Sequence, residues 1–238
     1  MLAPADFFAL DDPFVAAFFT GCVQPWKPLS RLDQHLARLL NGERRIEGTV
    51  MDGAFLGDGP LFVGVGARIE PGAYVLGPAY IAPGAVVRHG AFVRENVILC
   101  AGAICGHASE IKNSLLLPGA HAPHFNYVGD SILGARVNLG AGTKLSNLAM
   151  TSQKDPHTGQ RPTIQIELDG RLVDTGLAKL GAILGDEVQT GCNSVLNPGC
   201  LVGPRSLIYA NVSLRRGYYP ADTLVKLRQQ QESVARRP

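Results

Sequence analysis

Excess charge of either sign, long apolar runs, paired cysteines and a glycine-rich phosphate loop are all missing from this 238-residue chain. Lys and Arg number 22 against 20 Asp and Glu, a formal net charge of +2. No basic run is interleaved with aromatics either, so composition argues against a nucleic-acid binder. The cysteines, Cys22, Cys100, Cys105, Cys192 and Cys200, are odd in number and form no Cys-x-x-Cys pair. At least three fall where a small apolar residue belongs, which points to reduced, buried thiols and a cytoplasmic setting. Near the N-terminus Phe7, Phe8, Phe14, Phe18 and Phe19 are apolar, but Asp6, Asp11, Asp12 and Pro13 interrupt them and no basic segment precedes them. The stretch therefore reads as neither signal peptide nor membrane span. No Gly-rich loop follows a strand before Val63, so the sequence offers no phosphate cradle of that kind.

What is present is a period of six. Aliphatic residues or their stand-ins recur at Val63, Ile69, Val75, Ile81, Val87, Val93, Leu99, Cys105, Ile111 and Leu117. Gly-Ala pairs follow many of them, at Gly66-Ala67, Gly72-Ala73, Gly84-Ala85, Gly90-Ala91 and Gly102-Ala103. The phase resumes at Leu133, Leu139 and Leu145, and again at Leu184, Thr190, Leu196, Val202, Ile208 and Leu214. This period matches neither a helix nor a simple strand alternation; it marks a parallel β-helix, an all-β solenoid whose coil is three hexapeptides. On each side of the prism one aliphatic residue points inward, Gly, Asn or Pro takes the corner, and Ala fills the tight space beside it. With 46% hydrophobic and 18% charged residues the chain can bury such a core.

The flanks break the period. Residues 1–45 read as a helical N-terminal cap, including a helix N-capped by Ser30, with Leu32, Leu36, Leu39 and Leu40 on one face and Gly42 closing it. Residues 46–219 form the β-helix, and 220–238 read as a C-terminal helical tail. Between Ala149 and Gly181 the phase is lost, and Thr163 to Val173 reads as a β-hairpin around Asp169-Gly170. A long insertion in a compact repeat fold is a candidate lid over a neighbouring site.

Polar groups concentrate in His124-Phe125-Asn126-Tyr127-Val128-Gly129-Asp130 and in Asn138-Leu139-Gly140-Ala141-Gly142-Thr143. This motif pair resembles the acetyltransferase half of the bifunctional N-acetylglucosamine-1-phosphate uridyltransferase/glucosamine-1-phosphate acetyltransferase family, over about residues 94–210. The resemblance implies a left-handed β-helix, although parallel crossovers in general favour the opposite hand. It also implies a homotrimer, with acetyl-coenzyme A as acyl donor and an amino-sugar phosphate as acceptor. It places the catalytic base on His124 and the sugar contacts on Tyr127 and Asn138. The phosphate-holding cations fall on Arg94, Lys112 and, beyond the insertion, Lys179. Contacts to coenzyme A fall on Ala141, Asn147, Cys192 and Ala210. This chain departs from the family pattern in having Asn147-Leu148 where the family has Asn-Tyr, the long insertion in place of a short loop, and Cys192 in place of Ser.

Chemistry agrees with those roles. An amine attacking a thioester must lose a proton, and an imidazole suits that task near neutral pH. A backbone N–H of the Gly140-Ala141-Gly142 turn is the economical donor to the oxyanion, and no metal is required. Glu110, two residues before Lys112, either orients that lysine or neutralises it. Two other classes compete. A zinc carbonic anhydrase can also use a left-handed β-helix, but His107, His121 and His124 do not have its ligand spacing. A non-catalytic or regulatory remnant of a sugar-nucleotide enzyme is the stronger alternative, because no nucleotidyl-transferring half is present in the sequence.

Overall fold

In the computed structural model, which describes residues 2–230 and 232, the chain lays down one short strand on each side of a prism and repeats the circuit. The stacked circuits make three parallel sheets, two of nine strands and one of eight, forming a left-handed β-helix. The first face runs from Arg44–Ile46 through Leu61–Val63 to Gly217–Tyr219. The second runs from Thr49–Val50 to Leu224–Val225, and the third from Phe55–Leu56 to Ser213–Leu214. Inward residues at the period-six positions, together with the Ala of each Gly-Ala pair, form one continuous buried column. The corners are set by left-handed backbone at Gly66, Gly72 and Gly84, and later at Asn96, Asn113 and Asp130. Gly, Asn and Asp tolerate that conformation better than other residues.

The period slips once within the region read as unbroken. Val63 lies beside Ile81 and Ile81 beside Leu99, a step of 18 residues. Leu99 then pairs with Leu116, and Leu116 with Leu133, a step of 17. Leu116, not Leu117, therefore joins the core column, and Leu117 points outward into a second apolar cluster. The missing residue is lost at the corner from the third face to the first, at Lys112-Asn113 and again at Gly129-Asp130 in the next coil.

The N-terminal segment does not plug an end of the prism; it lies along the first face. It comprises the 3-10 turn Pro4–Asp6, helix α1 Pro13–Phe19, the 3-10 turn Lys27–Arg31 and helix α2 Leu32–Leu40. Phe7, Phe8, Phe18, Trp26, Leu32 and Leu36 bury against Phe62, Ile98, Leu115, Ile132, Ile183 and Leu201, the outward residues of that face. Asp186 fastens the strap: its carboxylate accepts the N–H groups of Ala9 (2.8 Å) and Ala135 (2.7 Å), and its own N–H donates to Phe7 O (2.9 Å). Ser30 does not cap α2; its hydroxyl donates to Lys27 O within the preceding turn, and the cap position is Arg31. The apolar stripe of α2 holds at Leu32, Leu36 and Leu40, whereas Leu39 is exposed, and left-handed Asn41 closes the helix before Gly42.

The inserted hairpin pairs Gln165–Leu168 with Arg171–Asp174 around Asp169 and Gly170, both left-handed, as a two-residue turn of that sequence requires. It is not a lid over the polar motif. Ile164 and Ile166 bury in the first-face cluster, Gln165 O accepts from Arg216, and Trp26 Nε1 donates to Thr175 O at 3.2 Å. The hairpin and the strap thus cover the same face. The helical reading of the tail also fails over its described part: Leu224–Val225 extends the second face and 226–230 have no regular structure. The remainder of that tail lies outside the described residues, apart from Glu232.

Replacing Asp186 by Ala removes the carboxylate acceptors of one exposed and one half-buried backbone donor. The expected cost is about 0.5–1.5 kcal/mol, read as faster proteolysis before Pro13 with the circular dichroism of the solenoid unchanged. Unaltered cleavage would show that the aromatic packing and the backbone bond to Phe7 O hold the strap without the carboxylate.

Candidate functional site

Alternation along a strand puts residues two apart on one side, so Phe92 and Arg94, Glu110 and Lys112, and Tyr127 and Gly129 project outward from the third face in successive coils. Arg94 donates to Glu110 Oε1 at 3.0 Å and lies 3.7 Å from Glu95. Lys112, only 16% exposed at its side chain, reaches Asp130 Oδ2 at 3.4 Å. Asp130 also receives Asn113 Nδ2 at 2.7 Å and Asn147 Nδ2 in a short hydrogen bond, while Tyr127 OH donates to Asn147 Oδ1 at 3.4 Å. The hydrogen bond to Glu110 raises the pKa of Arg94. Burial, aided by the charges of Glu110 and Asp130, raises that of the Tyr127 phenol. Glu110 therefore serves Arg94 rather than Lys112, whose counter-ion is Asp130.

His124 ends the strand His121–His124 on the second face, at the edge shared with the third. Its imidazole is exposed. Its backbone is locked: its N–H donates to the Asn126 side chain at 3.0 Å and its C=O accepts from Gly142 at 2.9 Å. Asn126 is 2% exposed and also donates to Gly140 O at 2.9 Å, which ties two coils together at this edge. The same edge carries Ala141, Cys192 and Ala210 in the following coils, as the bonds of Asn193 N to Ala141 O and of Asn211 N to Cys192 O require. In the Gly140-Ala141-Gly142 turn the Gly140 N–H donates to Thr190 and the Gly142 N–H to His124, while that of Ala141 has no acceptor among the described residues.

The residues singled out from the sequence thus fall into two groups. Arg94, Lys112, Tyr127 and Asn147 gather on the third face, and Asn147 belongs with them rather than with the edge positions. His124, Ala141, Cys192 and Ala210 line the edge. Asn138 stands on the second face, paired with His121 and Gln189. The His121 pKa is lowered by burial. Lys179 is exposed where the insertion rejoins the coil, next to Leu180, whose N–H donates to Asn147 O at 3.1 Å. Sequence reasoning assigned no role to Asp130, Asn113 or Asn126. Asp130 and Asn126 lie inside the quoted motif, but only the stacking of coils reveals what they touch. The third-face cluster is open, whereas a cavity of about 330 Å³ lies elsewhere, between the strap and Arg136, Asp186, Glu187 and Arg205.

A family profile described as the GMPPB C-terminal domain matches residues 75–212. The bifunctional sugar-1-phosphate nucleotidylyltransferase/acetyltransferase of Sulfurisphaera tokodaii is 33% identical over 103 residues, 43% of this chain and 23% of that protein. The bifunctional protein GlmU of Methanococcus maripaludis is 38% identical over 98 residues, 41% of this chain and 21% of that one. The chain therefore spans less than a quarter of the length of these relatives. Among solved structures, an Arabidopsis UDP-N-acetylglucosamine acyltransferase aligns over 75% of this chain and 69% of its own, with 14% identity and a TM-score of 0.44. A Caulobacter crescentus perosamine N-acetyltransferase mutant, in complex with CoA and GDP-perosamine, aligns over 48% and 55% with 23% identity and a TM-score of 0.34.

All five cysteines are free, and Cys192 is the exposed one. Burial pushes the Cys200 thiol up to about 12 and those of Cys100 and Cys105 higher still. Iodoacetamide should therefore alkylate Cys192 first in the folded protein, since the thiolate is the nucleophile. Peptide mass mapping checks this, and Cys105 reacting at a comparable rate would mean that the coils open readily.

Proposed function

This chain belongs to the GMPPB C-terminal domain family, and on that premise we propose that it is a coenzyme A-dependent N-acetyltransferase acting on an amino-sugar phosphate. One observation carries the reading: a cationic and hydroxyl-bearing cluster on the third face adjoins an edge that carries a histidine and a turn with an uncommitted N–H. The acceptor's phosphate sits by Arg94 and Lys112, with Lys179 approaching from the insertion, and its sugar hydroxyls meet Tyr127 and Asn147. Charge-assisted contacts to the phosphate supply much of the affinity. Acetyl-coenzyme A runs along the edge past Ala141, Cys192 and Ala210.

The transfer balances without a metal. The amine nitrogen attacks the thioester carbonyl as His124 takes its proton. The Ala141 N–H donates to the oxyanion while the intermediate lasts. The C–S bond then breaks, and the departing sulfur takes up a proton to leave as the thiol. Asn138 and Tyr127 stand on opposite sides of the edge, so they reach one substrate most simply when a neighbouring subunit brings the second face of one copy against the third face of another. A homotrimer does this with the two faces that the strap leaves open.

A second reading, a non-catalytic or regulatory domain derived from a sugar-nucleotide enzyme, is favoured by the carboxylates already paired with Arg94 and Lys112. Thiol release from acetyl-coenzyme A with a panel of amino-sugar 1-phosphates decides between them. The acyltransferase reading expects turnover by the wild type and a loss of about a hundredfold to ten-thousandfold in kcat for His124→Ala, with the thermal transition preserved. Equal rates for the two proteins would remove His124 from the mechanism, and no coenzyme A binding by calorimetry would favour the regulatory reading. Light scattering should give three times the chain mass; a stable monomer at micromolar concentration would rule out the shared site.

A further inference from the structure

We propose that Asp130 is the positioning residue of the acceptor site, fixing Lys112 directly and Tyr127 through Asn147. The inference rests on the acyl-transfer reading and names the group on which its acceptor specificity depends. Asp130 is 5% exposed, an unusual place for a carboxylate unless donors surround it. Oδ2 receives Lys112 and Asn147, and Oδ1 receives Asn113. Its backbone is held as well: its N–H donates to Lys112 O at 3.0 Å and its C=O accepts from Gly181 at 2.8 Å. Three segments therefore meet at one residue: the shortened corner after Lys112 and the segment after Lys144–Leu145 at its carboxylate, and the point where the insertion returns at its backbone C=O.

The direction of the Asn147 amide follows from this arrangement. An ionised carboxylate only accepts hydrogen bonds, so the amide must turn its NH2 toward Asp130 and its oxygen toward Tyr127. The Tyr127 hydroxyl is then committed as a donor to Asn147, with its oxygen lone pairs left to accept from a sugar hydroxyl. If the carboxylate is lost, the Asn147 amide can turn over. Its NH2 then faces Tyr127 and reverses the hydrogen-bond polarity offered to the substrate. Lys112, mostly buried, loses its counter-ion in the same step and its ammonium is no longer held at the corner.

Asp130→Asn is the informative substitution. Asn tolerates the left-handed backbone of this corner (φ 47°) as Asp does, so shape and backbone are kept while the acceptor-only character is lost. Wild type, Asp130→Asn, Asn147→Ala and the double variant are compared for kcat, for KM toward glucosamine 1-phosphate, for calorimetric binding of coenzyme A and for thermal transition. The expected result is a KM raised about tenfold to a hundredfold in Asp130→Asn, with coenzyme A affinity within about twofold of wild type. The double variant should be no worse than the poorer single, because the two residues act through one chain of hydrogen bonds.

An unchanged KM in Asp130→Asn overturns the inference while leaving the acyltransferase reading intact. So does strict multiplication of the two single effects, or a loss of coenzyme A binding that parallels a fall in thermal transition, which marks a purely structural role. Wild type that turns over no amino-sugar phosphate overturns the acyltransferase reading first, and the inference with it.

Discussion

Everything in this molecule depends on how much room a three-sided prism leaves at its centre. Each side of a coil admits one inward residue at the period-six position with a second, often Ala, two places before it, and stacking puts each against its counterparts one coil above and one below. Fully burying a Val, Leu or Ile in such a column is worth about 1.5–3 kcal/mol per side chain, and the column runs unbroken from Leu61 to Leu214. Corners carry the opposing cost. Left-handed backbone at a residue other than Gly, Asn or Asp costs about 1–2 kcal/mol, and the chain accepts it at Ala108 and Phe125, on the edge where His107 and His124 stand, and at Arg136, Glu187 and Arg205 on the edge between the first and second faces. Strained non-glycine corners that persist beside a candidate site are held there by the stack around them.

The covering of one face sets the rest of the arrangement. Because the strap and the hairpin bury the outward residues of the first face, that face behaves as the inside of a small second core, with its own aromatic contacts such as Phe62 on Tyr80 and Phe8 on Phe19. The second and third faces have no such cover and turn a mixture of apolar residues, such as Phe55, Tyr74, Leu207 and Leu224, and polar ones outward; the candidate site lies on the polar stretch of these faces and on the edge they share. The insertion that interrupts the period supports this division. Its two ends meet at Asn147 and Leu180, so the prism continues across it without a gap in the core column, while its hairpin serves the covered face.

At the site, charge is balanced rather than free. Arg94 with Glu110 and Lys112 with Asp130 form two pairs on adjacent coils, and the half-buried Tyr127 lies beside them. On the acyl-transfer proposal, an incoming phosphate would exchange partners with carboxylates instead of meeting bare cations, which favours selectivity over raw affinity. A surface cluster paired in this way holds its geometry without a ligand, so less ordering would be required on binding.

The sequence by itself determined the solenoid, because a six-residue period has no other economical packing, and it determined the hairpin, because Asp-Gly accepts the left-handed turn. It also carried the motif pair, whose residues gather along one edge and the two faces that meet there. The place of the strap was not legible: amphipathic helices and phenylalanines show that an apolar face exists, not which surface covers it. Nor was the slip at Leu116, since Leu115, Leu116 and Leu117 are all leucine and only the register decides which points inward. Coil length sets the contacts of the candidate cluster as well. Arg94 meets Glu110, Lys112 meets Asp130 and Tyr127 meets Asn147 across 16, 18 and 20 positions. Residues so far apart become neighbours only once coils of 17 and 18 residues have been stacked.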